Sequence, residues 1–307
     1  MTDPAFSYRG RFAPSPTGPL HSGSLVAAIA SYLEARVRGG QWLLRIEDVD
    51  APRCSTAAAS GILDTLEAFG MTWDGEVVWQ SRRTAAYAAA LDSLKAAGRV
   101  FACACTRREL ADSAIAPDGA AIYPGTCREG LAAGRGARAW RLRVGEAHVA
   151  FDDAIQGRIE SNLARDAGDF ILLRADGVFA YQLAVVVDDA AAGITHVVRG
   201  ADLLASTPRQ IYLQQCLGVP TPAYAHLPVV VNAAGEKLSK QTQAMPLDVT
   251  RPGPALLAAL EFLGQRPPAE LAGATPAAIW PWARENWRIG DVPHLQVAPP
   301  DCLVPGR

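Results

Sequence analysis

Three prolines and a glycine crowd into Pro14-Ser15-Pro16-Thr17-Gly18-Pro19, directly after an extended Arg11-Phe12-Ala13 and directly before a helical repeat. Proline cannot donate to a strand ladder, so the extended segment must stop within its first residues. From Ser22 onward, Leu25, Ile29, Leu33 and Val37 recur at near-helical spacing with Tyr32 beside them, until Gly39-Gly40 ends the pattern. Gln41 to Ile46 then reads as a short apolar strand. Strand, tight turn, helix and strand in succession make an α/β unit. Glu47, Asp48 and Asp50 fall at the C-terminal edge of its second strand, where open α/β sheets bind ligands. The turn also sets His21 and the small residues Ser22, Gly23 and Ser24 at a helix N-terminus, whose amides and imidazole can receive a polyphosphate.

Further along, Ser60 to Phe69 and Thr84 to Ala97 read as helices, ended by Gly70 and Gly98. From about Phe101 to Val149 the alternation breaks in a stretch rich in arginine, glycine and cysteine, which reads as an inserted subdomain. Phe179 to Val187, Thr195 to Arg199 and Leu227 to Asn232 read as strands, and Pro208 opens a helix running to about Leu217. The 66 residues after Gln241 hold 11 of the 22 prolines together with Trp280, Trp282 and Trp287. They predict short helices packed on the body and are too few for a large further domain. The resulting division is 1–98, 99–178, 179–241 and 242–307.

With 307 residues, 50% of them hydrophobic and 20% charged, the chain has the composition of a soluble protein of about two domains, not of a disordered, collagen-like or coiled-coil one. No apolar run nears the roughly 20 residues of a membrane span, and Met1 to Arg11 has no basic stretch followed by a hydrophobic one, which together predict a cytoplasmic protein. The net charge of −2 argues against a nucleic-acid coat protein. It is unevenly spread, because Arg99 to Arg143 holds eight arginines and four acids, so polyanion contact should concentrate there. Lysine is scarce. Of Lys95, Lys237 and Lys240, two stand in Lys237-Leu238-Ser239-Lys240-Gln241, where a mobile ammonium can follow a phosphate.

The six cysteines do not make a disulfide scaffold. Cys103 and Cys105 would face the same side of an extended segment, and Cys127 follows after a glycine-containing loop that holds Tyr123. Tetrahedral zinc needs a fourth donor, for which Tyr123, His148 and Asp118 are available; reduced, metal-free thiols are the alternative. Cys54, Cys216 and Cys302 read as ordinary thiols.

The string Arg11 to Ser24 resembles the first signature of class I aminoacyl-tRNA synthetases in the form used by glutamyl-tRNA synthetases, and Lys237 to Gln241 resembles the second. They stand in the right order about 215 residues apart, with Arg199-Gly200-Ala201-Asp202-Leu203-Leu204 between them. The resemblance spans roughly Arg11 to Gln241. It departs at Ser24, where some members carry a second histidine, and at Gln241, where the loop often ends in serine. It implies a Rossmann-like class I catalytic core with a doubly wound parallel sheet, an inserted zinc-binding acceptor subdomain and a short helical C-terminal part.

The implied chemistry is attack of the glutamate carboxylate on the α-phosphate of ATP. His21 and Lys240 act on the phosphates, helped by Gly23, Lys237, Ser239 and magnesium. The implied glutamate pocket comprises Arg11, Phe12, Ala13, Pro14 and Ser15, with Glu47 for the ammonium, Tyr181 and, on the side-chain carboxylate, Arg199. A strand-end salt bridge to Arg45 or Arg53 is the simpler use of Glu47, and a core aromatic that of Tyr181. In the bacterial glutamyl-type zinc site a tyrosine is the fourth ligand, which implies Cys103, Cys105, Tyr123 and Cys127 here. With no room for a helical anticodon-binding region, the chain is similar to a branch of the family that attaches glutamate to the queuosine base in the anticodon loop of tRNA(Asp). The arginine-rich stretch would then be the RNA cradle. The expected partners are L-glutamate, ATP and queuosine-containing tRNA(Asp), with no membrane and a monomeric chain. A truncated synthetase charging a tRNA 3′ end and a non-catalytic tRNA-binding paralogue are the competing readings.

Overall fold

The structure, a computed structural model, describes residues 8–116, 119, 121–231 and 247–298. β1 (Arg9–Phe12) ends where the prolines begin, α1 (Ser22–Val37) follows, and β2 (Gln41–Ile46) returns parallel to β1 with Phe12 opposite Leu44. Next come α2 (Thr56–Ala68), β3 (Val78–Trp79), which pairs parallel with the end of β2, and α3 (Thr84–Ala96). β4 (Val100–Cys103), β5 (Ala139–Leu142), β6 (His148–Asp153), β7 (Gly157–Asn162), α4 (Leu163–Asp166) and β8 (Ile171–Leu173) occupy the middle of the chain. They are followed by α5 (Tyr181–Ala191), β9 (His196–Gly200), α6 (Thr207–Leu217), β10 (Ala223–Leu227) and β11 (Val229–Val230), then by α7 (Pro252–Phe262), α8 (Pro276–Asn286) and β12 (Val297–Ala298).

The central β structure is parallel except at one edge. β3, β2 and β1 form one parallel set, and β9, β10 and β6 another, with β7 antiparallel to β6. The two sets meet at Thr195, whose backbone N–H donates to the Arg9 carbonyl at 2.9 Å while its hydroxyl accepts from the Arg9 N–H. Strand periodicity sends alternate side chains to two cores. Trp42, Leu44, Ile46, Val198, Ala225 and Leu227 pack on α1, α7 and α8, whereas Leu43, Val197 and Tyr224 pack on α3, α5 and α6. Helices therefore cover both faces, and the chain's reversal of direction across the sheet falls between β1 and β9.

The stretch 99–178 divides between two sheets. β4, β5 and β8 form a separate antiparallel sheet, one face of which carries Phe101, Cys103 and Ala139 in a small third core; β6 and β7 join the central one. Two sequence expectations need correction. Phe179 to Val187 is not a strand, because Tyr181 onward forms α5; the run of valines favours a strand, but burial of Leu183, Val185 and Val186 against α3 and α6 decides for helix. The strand expected over Leu227 to Asn232 begins earlier, at Ala223. It is interrupted at Pro228, which has no N–H to donate, and Asn232 lies outside the described residues.

The C-terminal helices close on α1, as the tryptophans suggested. The Trp280 indole donates to the Phe69 carbonyl at 2.8 Å and that of Trp287 to Glu34 at 2.7 Å. Among the described residues no helix is long and apolar enough to cross a membrane.

At the junction of α1 and β2, a Cβ on Gly40 would collide with the Tyr8 carbonyl oxygen, backbone that cannot swing aside. Gly40→Ala should cost about 1–3 kcal/mol. This is measured as a lower urea midpoint at unchanged slope, and an unaltered midpoint would show that β1 is not held there.

Candidate active site

At the C-terminal ends of β1, β2, β9 and β10 lies a cavity of about 460 Å³. It opens at the reversal point of strand order, where open α/β sheets bind ligands. The β1 exit contributes Arg11 through Ser15, α1 contributes His21, Gly23 and Ser24, and Glu47, Tyr181 and Arg199 arrive from the ends of β2, α5 and β9. Local bonds keep the proline turn there: the Glu47 N–H donates to the Pro14 carbonyl at 3.0 Å and the Ser55 N–H to that of Pro16 at 2.9 Å. His21 is the N-cap of α1, its Nδ1 accepting from the Ser24 N–H at 3.4 Å, with Ser24 Oγ 3.3 Å from Nε2. No acidic side chain sits in the first turn of α1, so the positive end of its dipole is uncompensated. Lys237, Ser239 and Lys240 lie outside the described residues, as does Asp118.

Four charged side chains, Arg11, Arg45, Glu47 and Asp189, frame the strand-end side of the cavity. Asp189 accepts from Arg11 Nε at 3.2 Å and from Arg45 Nη1 at 2.5 Å, and Arg45 Nη2 reaches Glu47 at 3.2 Å. Burial alone would raise the Asp189 carboxyl, but the two guanidiniums hold it below its ordinary value. At Glu47 burial outweighs Arg45 and Arg11, and its carboxyl is pushed up. Glu47 makes the strand-end ion pair with Arg45 while also lining the cavity. The Tyr181 hydroxyl is also raised by burial.

Arg199 is 5% exposed and touches no carboxylate among the described residues. Its Nε donates to His226, its Nη2 to Thr207 Oγ1 at 2.7 Å, and its buried Nη1 has no hydrogen-bond partner among the described residues.

Of the remaining strand-end acids, Asp48 accepts from the Ser81 N–H and hydroxyl, and Asp50 pairs with Arg174 at 2.8 Å. Both are used to hold loops.

In the third core the sulfurs of Cys103, Cys105 and Cys127 lie within 4.8 Å of one another. Cys105 and Cys127 are 3.6 Å apart, and the Tyr123 hydroxyl is 3.5 Å from both Cys103 and Cys105. A tetrahedral zinc with bonds near 2.3 Å to sulfur has edges of about 3.8 Å, close to these three separations. The cluster could hold a metal ion. His148 is exposed on β6 and hydrogen-bonded to Asn162, apart from this group.

The arginine-rich stretch is less free than its count suggests. Arg141 is buried over the Tyr123 ring, and Arg128, Arg135 and Arg143 pair with Asp169, Glu109 and Glu129. Arg99, Arg107, Arg108 and Arg138 remain exposed.

Residues 7–266 match the model of the catalytic domain of class I tRNA synthetases (E and Q). The chain belongs to this family. It is 62% identical over 304 residues to a protein of Aromatoleum aromaticum named glutamyl-Q tRNA(Asp) synthetase, covering 99% of this chain and 96% of that one. Proteins of the same name from Dechloromonas aromatica and Thiobacillus denitrificans are 63% and 60% identical, over 94% and 95% of this chain and 96% and 97% of theirs. Among solved structures, the glutamate-tRNA synthetase of Elizabethkingia anophelis superposes with a TM-score of 0.78 at 24% identity, covering 96% of this chain and 68% of that one. The fold is therefore the class I synthetase catalytic fold, built on mixed α/β sheets.

In this synthetase fold the residues that sequence reasoning missed are those behind the lining: Asp189, His226 and, as a partner of Asp189, Arg45. Reading α5 as a strand left the acids Asp188-Asp189 beyond its end, whereas the helix carries Asp189 against β1 and β2. Two adjacent acids closing an apolar run were the available signal.

Replacing Asp189 by asparagine should remove a buried anion from between two buried guanidiniums, at a cost of about 3–5 kcal/mol near neutral pH. Because Asp189 is depressed in the fold, its contribution is complete above its ordinary value of 3.8 and fades as pH falls through the lower folded value. The stability gap between wild type and Asp189→Asn, read by denaturant unfolding, should narrow on acidification. A gap that does not change with pH would overturn the pairing.

Proposed function

We propose that this synthetase-family protein activates L-glutamate with ATP and transfers it to the queuosine base of tRNA(Asp). The observation that carries the activation is the buried Arg199, left with an unpartnered Nη1 in a cavity that also holds Glu47 and the N-terminus of α1. A neutral carboxamide would leave the buried guanidinium without a counter-charge, so the site favours a side-chain carboxylate. Glu47, raised by burial despite Arg45 and Arg11, gains by receiving the substrate's ammonium. Arg11, Phe12, Ala13, Pro14, Ser15 and Tyr181 complete the amino-acid pocket. The choice of acceptor is carried by the relatives named glutamyl-Q tRNA(Asp) synthetase, of which this chain spans 96–97% of the length.

Activation proceeds by attack of the α-carboxylate oxygen on the α-phosphorus of ATP; the bond to the bridging oxygen breaks and pyrophosphate departs. The α1 amides, His21 and the space beside Gly23 receive the phosphates, with Lys237, Ser239 and Lys240 assigned to them by their signature and magnesium supplying further positive charge. A queuosine hydroxyl then attacks the acyl carbon, and AMP leaves with the proton passing to its phosphate. Arg99, Arg107, Arg108 and Arg138 form the exposed part of the RNA cradle. The chain's ATP and tRNA substrates suit a cytoplasmic enzyme acting as a monomer.

Glutamate-dependent pyrophosphate exchange should proceed. Labelled glutamate should enter tRNA(Asp) carrying queuosine but neither the same tRNA with unmodified guanosine nor tRNA(Glu). Equal labelling of the first two, or preference for tRNA(Glu), would overturn the queuosine assignment. Absence of exchange would favour a non-catalytic protein.

One structural zinc, held by Cys103, Cys105, Cys127 and Tyr123, suits these close separations; with every donor from the protein it would stabilise this small core and take no part in the reaction. Elemental analysis of protein purified without chelator should find about one zinc per chain, and its absence would refute the site. Full retention in Tyr123→Phe would pass the fourth position to another donor.

A further inference from the structure

Arg199 owes its orientation to a buried relay that reaches into a different part of the chain. His226, on β10, is wholly buried. Its Nε2 lies 3.0 Å from Arg199 Nε, and its Nδ1 lies 2.6 Å from Asp153 Oδ2 at the end of β6. A guanidinium nitrogen can only donate, so Nε2 must accept and the ring proton must sit on Nδ1, pointing at Asp153. Asp153 is committed as an acceptor, because its other oxygen receives the backbone N–H groups of Ile155, Gln156 and His226 at 3.0, 2.9 and 3.1 Å. Thr207 closes the arrangement, its hydroxyl accepting from Arg199 Nη2 and lying 3.0 Å from His226 Nε2. With Nε and Nη2 tied back in this way, Nη1 is the nitrogen left unpaired.

We propose that Asp153 and His226 are positioning residues for substrate selection: by fixing the Nδ1–H tautomer they keep an acceptor against Arg199 Nε, hold the guanidinium in one orientation, and thereby set the preference for glutamate over glutamine. The inference rests on the assignment of Arg199 to the substrate's side-chain carboxylate. A histidine that stays neutral is required, since a proton on Nε2 would set donor against donor; burial, assisted by the nearby Arg199 charge, holds His226 down at about 4 despite Asp153.

Asp153→Asn tests this with almost no change of shape. The asparagine can still accept the three backbone bonds, but its NH₂ now donates toward His226, which drives the ring proton to Nε2 and against Arg199. Nitrogen-15 NMR of the histidines should read Nδ1–H for His226 in the wild type and Nε2–H in the variant. In pyrophosphate exchange the KM for glutamate should rise about 10- to 100-fold, the scale of one hydrogen bond to a charged group, with the KM for ATP unchanged. The glutamate-to-glutamine ratio of kcat/KM should fall in parallel. A second pair keeps the test open should Asp153→Asn not fold: His226→Leu should show the same loss, and His226→Gln, which keeps an acceptor near Nε2, should recover most of it. Unchanged glutamate KM and selectivity in the folded variants would overturn the proposal. Arg199→Ala in the same assay separates the two levels. If it too leaves glutamate use unchanged, the assignment of Arg199 falls; if it abolishes selectivity while the Asp153 and His226 variants do not, only the relay falls.

Discussion

Asp189 between Arg11 and Arg45 is the contact on which the site depends. Three elements distant in sequence, β1, β2 and α5, each bring one charged residue to a place where none could be left alone. An isolated buried charge is too costly to keep, so the geometry of these three elements is coupled: moving one strands the charges of the other two. Glu47 joins through Arg45 and inherits that rigidity. This side of the cavity is therefore preorganised, and it is the backbone scaffold, more than the lining side chains, that holds it to shape.

The cavity occupies the one position where the sheet offers both a gap and a favourable field. Between β1 and β9 the crossovers diverge, α1 departing on one face and α5 and α6 lying on the other, so that strand ends and a helix N-terminus face the same space. The helix end and the strand ends that line the cavity lie only a few residues apart on the β1–α1 turn. The proline-rich turn joins the two halves, and its bonds to Glu47 and Ser55 keep it from folding into the opening.

Arginine serves two purposes in the middle of the chain. Arg128, Arg135, Arg141 and Arg143 are spent on ion pairs and ring contacts that stiffen a small core around the cysteines, and the exposed remainder is what a phosphate backbone would meet. A core this small would gain from a metal clip, because few apolar side chains are available to fix the positions of three cysteines and a tyrosine.

The β1–α1–β2 unit was legible in the sequence because its instructions are local. Prolines end the strand, small residues admit the helix N-terminus, Gly39-Gly40 stops it, and the apolar period faces one side. The cysteine spacing and the packing of the tryptophan-rich tail were legible for the same reason. Whether Phe179 to Val187 is strand or helix was not, since a short apolar run carries both periods and only burial against α3 and α6 chooses between them. With that choice went Asp189. The His226–Asp153 contact joins residues 73 apart through adjacent strands, and the freedom of the arginines depends on acids outside their own stretch, such as Asp169. Sequence determined which chemistry the chain carries; tertiary structure alone decided which charges are paired and which are left to meet a substrate, because a buried charge is defined by its partners across the fold.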